Sequence, residues 1–373
     1  MKKRAYIGLS ILLIPILVIS LILAGCPGNG TTTTPPPEET TTPPPEETTT
    51  PPPEPIKLIF SCPFIEVEPP AMFATHFMDL VEEKTDGRVT FDRYYAEALA
   101  KHTEHIQLLG SGSVDLVICV PTYVGTEIVL NQLPDFPMYC SLEKSLESAD
   151  KLLMEIPETK AILDAEQERL NIKILYWQTS GPMDILCRDE VTSLTELNGK
   201  KINLWAPADV DIWGEFGMFA VPVYTADLYE SLSRGVIDSV YFPPSGSLAM
   251  KLFETAKSNL GLRQGGADVP IMFNLTKWNS LPSDVQDVLM EASLETAQWS
   301  VGFSTMATEQ SYQVFRDSGL YVGDAPEEDT VKLFEALMKY NLEQNWVNQC
   351  NAAGLGEEAQ VLLGYWRDMA WGK

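Results

Sequence analysis

Hydrophobic and polar positions along the chain change period repeatedly, and each change marks an element. IKLIFSCPF, from Ile56 to Phe64, reads as a strand. The segment after it sets Phe73, Phe77, Leu80 and Val81 on one helical face and stops at Asp86-Gly87. RVTFDRYY returns to a strand, HTEHIQLLG predicts a helix, and VDLVICV is a continuous apolar run of the kind buried in parallel sheets. Helical periodicity runs from Ser283 to about Gly319 with no proline and with Gly302 as its only internal glycine. A helix of that length would brace two lobes. The tail, around TVKLFEALMKYNLEQNWVNQ and GEEAQVLLGYWRDMAW, also has a helical pattern. Strands alternating with helices predict an α/β fold.

An internal echo refines this. IQLLGSGSVDLVICVP and YESLSRGVIDSVYFPP share a helix end, a glycine, an aliphatic-Asp pair, a strand and a proline. Two copies about 120 residues apart predict two similar lobes. Each lobe then offers the C-terminal end of a strand to a shared cleft, where ligands of open α/β sheets bind. ELNGKKINLWAPADV, Glu196 to Val210, fits the same scheme: an NGKK turn feeds a strand whose exposed end carries Asn203 and Trp205.

The N-terminus changes where the protein belongs. MKKR precedes a nearly unbroken apolar run that ends at Cys26. Leu23, Ala24, Gly25 and Cys26 resemble the bacterial lipobox, whose cysteine is lipidated and becomes the mature N-terminus. The alternative is an uncleaved anchor, since ~20 apolar residues span a bilayer. Both readings put the rest of the chain outside the cytoplasm, held at the cell membrane. From Thr32 to Pro55 the unit TTTPPPEE runs three times, the last copy ending in EP. Consecutive prolines favour an extended helix of ~3.1 Å per residue, so this segment is a tether.

Composition then excludes function classes. The 373 residues carry a formal charge of -26, which repels phosphate backbones and argues against a nucleic-acid partner. Beyond Cys26 the cysteines are Cys62, Cys119, Cys140, Cys187 and Cys350, an odd number with no CxxC spacing. Buried thiols are expected, and neither a zinc nor a redox site. His102 and His105 stand three apart but lack a third metal ligand, so a solvated helix face or strand-end loop is expected for them. Gly110 to Ser113, GSGS, runs from helix into strand, the reverse of a phosphate-binding turn. No grouping supplies a nucleophile, a base and an oxyanion donor together, so neither enzyme chemistry nor a cofactor is expected.

In this context FMDLVEEKTDGRVTFDRYY resembles the opening of the solute receptors of TRAP transporters, the dicarboxylate-receptor family. LNGKKI, VYTADLYESLSRGVIDS, KWNSLPSDVQDVLMEASLE and DSGLYV look like later landmarks of that family, in the family's order, from about Ile56 to the C-terminus. The resemblance implies an α/β, two-lobed periplasmic-binding-protein fold with a central cleft and a long helix spanning both lobes. With the N-terminal readings above, this gives a signal peptide over 1–26, a tether over 27–55 and a receptor over 56–373. Lobe 1 is expected at about 56–180 plus 269–305, lobe 2 at about 181–268 plus 306–340, and C-terminal helices over 341–373. The implied partners are a small organic solute and the membrane subunits of a TRAP permease. A sensory binding protein serving a signalling partner is the alternative that sequence does not separate.

The resemblance also implies an arginine after the GKK turn, holding a ligand carboxylate through two parallel bonds. This chain has Asn203 there. A second arginine implied at the start of the other lobe is replaced by Met183, and a polar amide by Tyr241-Phe242. Cys62 and Val120 stand at the first-lobe strand ends. Each change removes polarity from where a carboxylate would sit. The expected solute therefore depends little on carboxylate pairing and has an apolar or aromatic body. Tyr95, Tyr123, Trp205, Tyr224, Tyr241 and Phe242 are the expected aromatic contacts, with Asn203 giving a donor and an acceptor. An ordinary organic-acid receptor remains the alternative if Arg188 takes the displaced arginine's place.

Overall fold

The computed structural model describes residues 54–223 and 227–372, so Cys26, most of the tether and Tyr224 lie outside the described residues. Eleven strands form two sheets. They are β1 (Ile56–Ser61), β2 (Val89–Tyr94), β3 (Leu116–Ile118), β4 (Ile172–Gln178), β5 (Asp184–Cys187), β6 (Lys201–Leu204), β7 (Phe219–Pro222), β8 (Ser239–Phe242), β9 (Ser258–Gly261), β10 (Val269–Asn274) and β11 (Tyr321–Asp324). The first sheet has the order β2-β1-β3-β10-β4 and the second β11-β9-β5-β8-β6-β7.

Local sequence explains the elements. The helix Pro69–Lys84 starts with proline, whose missing N–H costs nothing at that position. It buries Ala71, Phe73, Ala74, Phe77, Met78 and Val81, the three-and-four spacing of one helical face. Asp86 and Gly87 then take positive φ and turn the chain into β2, parallel to β1. β3 and β10 are buried along their whole length, because apolar side chains pack on both faces of their sheet.

The two sheets share a plan. β1 pairs in parallel with β2 and β3 as β6 does with β7 and β8, and β3 and β8 are each flanked by an antiparallel strand. The internal echo is the reason. Asp115 N–H donates to Ile59 O (2.9 Å), and Asp115 Oδ2 accepts from Ile59 N–H (2.7 Å). Asp238 N–H donates to Lys201 O (2.8 Å), and Asp238 Oδ2 accepts from Lys201 N–H (2.9 Å). Each aspartate therefore locks the entry of a third strand onto a first strand by the same pair of bonds. Val120 and Phe242, each just before a proline, leave the two lobes at equivalent places.

The chain crosses between the sheets after β4 and again before β10. The helix Ser283–Asp317, 35 residues and ~52 Å at 1.5 Å per residue, lies along both. Phe73 packs edge-on against its Trp299 and Phe303 at one end, and Phe253 stacks on its Phe315 at the other. Between these ends a row of hydroxyls serves the crossing backbone. Ser293 Oγ accepts from Tyr176 N–H (3.1 Å), Ser300 Oγ accepts from Thr179 N–H (3.1 Å), and Ser304 Oγ donates to Thr179 O (2.6 Å). Gly181 follows at φ 111° with Thr308 and Ser304 close by, a conformation that favours glycine.

The five cysteines of the described residues are unpaired, and all but the half-buried Cys140 are buried. His102 and His105 do not form a solvated helix face. His105 is fully buried, with Ser61 Oγ at 3.1 Å and Lys101 O at 2.8 Å, because β1 leaves a polar gap at that end of the sheet. His102 is half-buried, and its Nε2 accepts from Val120 N–H (3.2 Å).

Candidate functional site

Parallel strands point the same way, so the C-terminal ends of β1 and β3 share one edge of the first sheet. Cys62, Val120 and Tyr123 follow those ends. Asp268 joins them by register, since β10 runs antiparallel to β3 with Ile271 opposite Ile118. Asp135 joins through Thr122, whose N–H donates to Asp135 Oδ2 at 3.0 Å and whose hydroxyl donates to the same oxygen. On the second sheet, Trp205 follows β6, Phe242 ends β8, and Met183 directly precedes Asp184, the first residue of the antiparallel β5 beside them.

Trp205 and Phe242 stack with ring centroids 5.7 Å apart and both are half-buried. A carboxylate holds the turn that carries the tryptophan: Asp209 Oδ2 accepts from Trp205 N–H (2.7 Å) and Ala206 N–H (2.9 Å). Trp205 Nε1–H donates to Tyr241 O (2.8 Å), and Asn203 Oδ1 accepts from Tyr241 N–H (2.7 Å). Both residues thus clamp the backbone of Tyr241. The reason is local: β6 and β8 are in register only at Ile202 and Ser239, and beyond that pair side chains replace the ladder.

The acceptor of Asn203, expected to face a solute, is therefore committed inside the sheet. The residue is fully buried, and its Nδ2 has no partner among the described residues. Tyr241 is buried too, edge-on to Trp213 at 5.3 Å, with its hydroxyl donating to Gln264 Oε1 (2.7 Å). Tyr95 packs edge-on to Phe60, and its hydroxyl lies 2.7 Å from Thr75 Oγ1, so its polar end is held within the first lobe. Cys62 is fully buried, and burial pushes its thiol up to about 12. Met183 and Val120 are half-buried against the cores of their respective lobes.

Tyr123 differs from these. It is 59% exposed, yet dense surroundings raise its hydroxyl, and Asp135 and Asp268 raise it further. Burial raises Asp135 to about 8, with Asp268 adding to the effect against the bonds from Thr122. Burial likewise raises Asp268 to about 6 against its bond from Ser180 N–H. His102, 5.1 Å from the Tyr123 ring, is lowered by burial to about 4 and is neutral at pH 7.

A separate cavity of about 760 Å³ opens where the loop Tyr139–Glu143, Arg263, Gln264 and residues Thr305–Tyr312 of the long helix meet. None of the strand-edge aromatic residues lines it. Its Arg263 pairs with Asp324 at 3.2 Å.

Among known families, the bacterial extracellular solute-binding proteins of family 7 match over residues 66–345. The chain belongs to that family. The C4-dicarboxylate-binding periplasmic protein DctP of Rhodobacter capsulatus is 25% identical over 277 residues, 71% of this chain and 79% of that protein. A TRAP periplasmic solute-binding protein of Rhodobacter sphaeroides, solved in an open state without ligand, superposes with a TM-score of 0.73 at 20% identity, covering 84% of this chain and 99% of that one. One from Desulfovibrio salexigens, solved with orotic acid, gives 0.68 at 16% identity, covering 84% and 98%. The protein is thus an extracytoplasmic solute-binding receptor, and not an enzyme. The receptor's two sheets are the cores of its two lobes.

Arg188 has no place in the expected cleft. It follows the last residue of β5, so four residues at ~3.3 Å each separate it from the cleft end of the strand. Its Nη1 lies 3.6 Å from Asp238 Oδ1, at the opposite edge of the lobe. Sequence reasoning named neither Asp135 nor Asp268. The available signal was that Asp268 directly precedes an apolar strand, but acids are too common in this chain for that to stand out.

Proposed function

We propose that the receptor captures a small organic solute with an apolar or aromatic body, depends little on a carboxylate, and delivers it to TRAP permease subunits in the membrane. The observation that carries this reading is the Trp205–Phe242 stack at the lobe-2 edge, beside a fully buried Asn203 where the family resemblance implies arginine. A flat ring pair offers an apolar face to one side of a solute, and Tyr123 offers another from lobe 1. The lobes divide near residues 180 and 268, where the chain crosses between sheets, and closure about those crossings would bring the two edges onto the solute. Cys26 carries the lipid that holds the receptor at the membrane, with residues 27–55 as its tether. Tyr241 holds the Trp205 ring through its backbone carbonyl, which accepts from the indole N–H.

Native mass spectrometry of the purified receptor, followed by denaturation, identifies what it retains. An aromatic or apolar solute is expected. Recovery of a C4 dicarboxylate, with tight calorimetric binding of succinate and none of apolar solutes, would overturn the reading.

A further inference from the structure

We propose that His102 is the polar anchor on the lobe-1 side of the site: its imidazole donates Nδ1–H to a carbonyl oxygen of the solute, whose ring lies against Tyr123. This rests on the reading above and gives its apolar or aromatic solute an uncharged acceptor.

Placement comes first. His102 opens a short helical turn, His102–Glu104, and its ring lies among residues that follow the C-terminal ends of β1 and β3, where open α/β sheets take their ligands. The Phe64 ring is edge-on to it with centroids 5.3 Å apart, and the Tyr123 ring is tilted against it at 5.1 Å. Tyr123 is exposed, so the histidine stands beside a ring that a solute can reach. Glu97 fixes the turn: its Oε1 accepts from His102 N–H (2.9 Å), and its Oε2 pairs with Lys101 (2.9 Å). Ala96 and Glu97 both take a left-handed backbone, φ 54° and 58°, which costs energy for residues other than glycine. Ala96 N–H donates to Phe64 O (2.9 Å), and this bond with those of Glu97 holds the strained loop in place. The ring is therefore positioned before any solute arrives.

The ring's hydrogen bonds then fix which nitrogen carries the proton. Nε2 accepts from Val120 N–H (3.2 Å), so the single proton of the neutral ring sits on Nδ1. A cationic ring would turn an N–H toward the amide of Val120, and burial also disfavours that form. Nδ1 has no hydrogen-bond partner among the described residues, and it is not one of their fully buried unpartnered atoms, so solvent reaches it. His105 differs, because its two nitrogens meet Ser61 Oγ and Lys101 O inside the lobe. His102 is thus the histidine with a donor to offer. The nearby basic groups are engaged elsewhere, Arg93 with Asp79 and Glu82 and Lys101 with Glu97. An uncharged donor without a free cation beside it suits an acceptor that needs no counter-charge. An aryl ketone or amide carries such an oxygen in the plane of its ring, so one solute can meet both Nδ1–H and the Tyr123 ring.

The test compares three probes that share a phenol body: para-hydroxyacetophenone, para-ethylphenol and para-hydroxybenzoate, titrated calorimetrically into the full-length receptor up to millimolar concentration. The ketone is expected to bind at least about tenfold more tightly than para-ethylphenol, in which a methylene replaces the carbonyl. His102→Phe keeps a ring against Phe64 and Tyr123. It should bring those two probes to about equal affinity while para-ethylphenol stays within about threefold of its wild-type value. An equal loss for both probes would make His102 a structural residue only and overturn the proposal. Nitrogen NMR of the isotope-labelled wild type depends on no variant, and the chain has only three histidines to assign. At pH 7 His102 should be protonated on Nδ1 alone, and the ketone should shift that nitrogen while para-ethylphenol leaves it in place. A proton on Nε2, or no shift with the ketone, would also overturn the proposal. Equal wild-type affinity for the ketone and para-ethylphenol would overturn it too and leave the aromatic-body reading standing. Preference for para-hydroxybenzoate would overturn both. Failure of the ketone to bind at millimolar concentration overturns the His102 proposal.

Discussion

Replacing Asp184 by asparagine should stabilise the receptor at alkaline pH and leave it nearly unchanged in acid. Asp184 opens β5 and is fully buried. Its Oδ2 accepts from Asn259 Nδ2 (2.7 Å) and from the Tyr312 hydroxyl on the long helix (2.7 Å), while Oδ1 has no partner. No cation offsets its charge, so burial raises the carboxyl to about 7, against the hydrogen bonds that lower it. In the unfolded chain the same group titrates near ~3.9. Between these values the folded state holds a proton that the unfolded state has released. The group's contribution is therefore fully present below about pH 4 and is lost as pH rises through about 7. At about 1.4 kcal/mol per unit, the loss approaches ~4 kcal/mol as an upper bound. Asparagine keeps one acceptor for Tyr312 and Asn259 and carries no charge. Urea unfolding followed by tryptophan fluorescence at pH 5 and pH 8 gives the comparison. The wild type should lose a few kcal/mol more than the variant between the two pH values. Asp135, Asp150 and Asp268 titrate in the same window, so the difference between the two proteins, not either slope, is the measure. Parallel pH profiles for both would refute the argument.

Ser300→Ala removes the acceptor for Thr179 N–H at the first crossing and should cost about 1–3 kcal/mol in urea unfolding, because a buried donor is left unmet. Glu166→Gln should cost a similar amount: its carboxylate accepts from the N–H groups of Val129, Leu130 and Asn131, and an amide nitrogen would face one or more of those donors. Trp205→Ala removes the ring stacked on Phe242, and calorimetry with the retained solute should show at least about a tenfold loss of affinity, against little change if the ring does not face the cleft. Cys26→Ala should move the protein from the membrane fraction to the soluble fraction when it is expressed in a bacterium; unchanged fractionation would favour an uncleaved anchor.

The fold was legible wherever the signal was local and repeated. The apolar run VDLVICV holds the buried strand β3, and the stretch from Ser283 holds the 35-residue helix. The echo marked two lobes because its aspartate makes the same two bonds in each. The histidines were not legible, since whether His105 meets water depends on Ser61, 44 residues away. The setting of Asp268 was hidden for the same reason. Asp268 lies 88 residues from its donor Ser180, and no spacing rule connects them.

Asn203 shows where reading by position stops. The turn before it and the strand period put it correctly at the end of β6, but a strand period says only which face a side chain takes. It does not say whether the neighbouring strand lacks a ladder partner at that level. Here β8 does, and Asn203 supplies it through Oδ1, while Trp205 accepts the same duty toward Tyr241 O through its indole N–H. With the indole N–H engaged in the sheet, the Trp205 ring is held in place by the Phe242 ring, by the Tyr241 carbonyl and by the Asp209 turn, and on the proposed reading only its ring meets the solute. A rigid aromatic surface at a strand end loses little freedom when a solute lands on it. The absence of arginine at Asn203 is thus more than a missing contact: the shorter amide ties together the two strands whose ends carry Trp205 and Phe242.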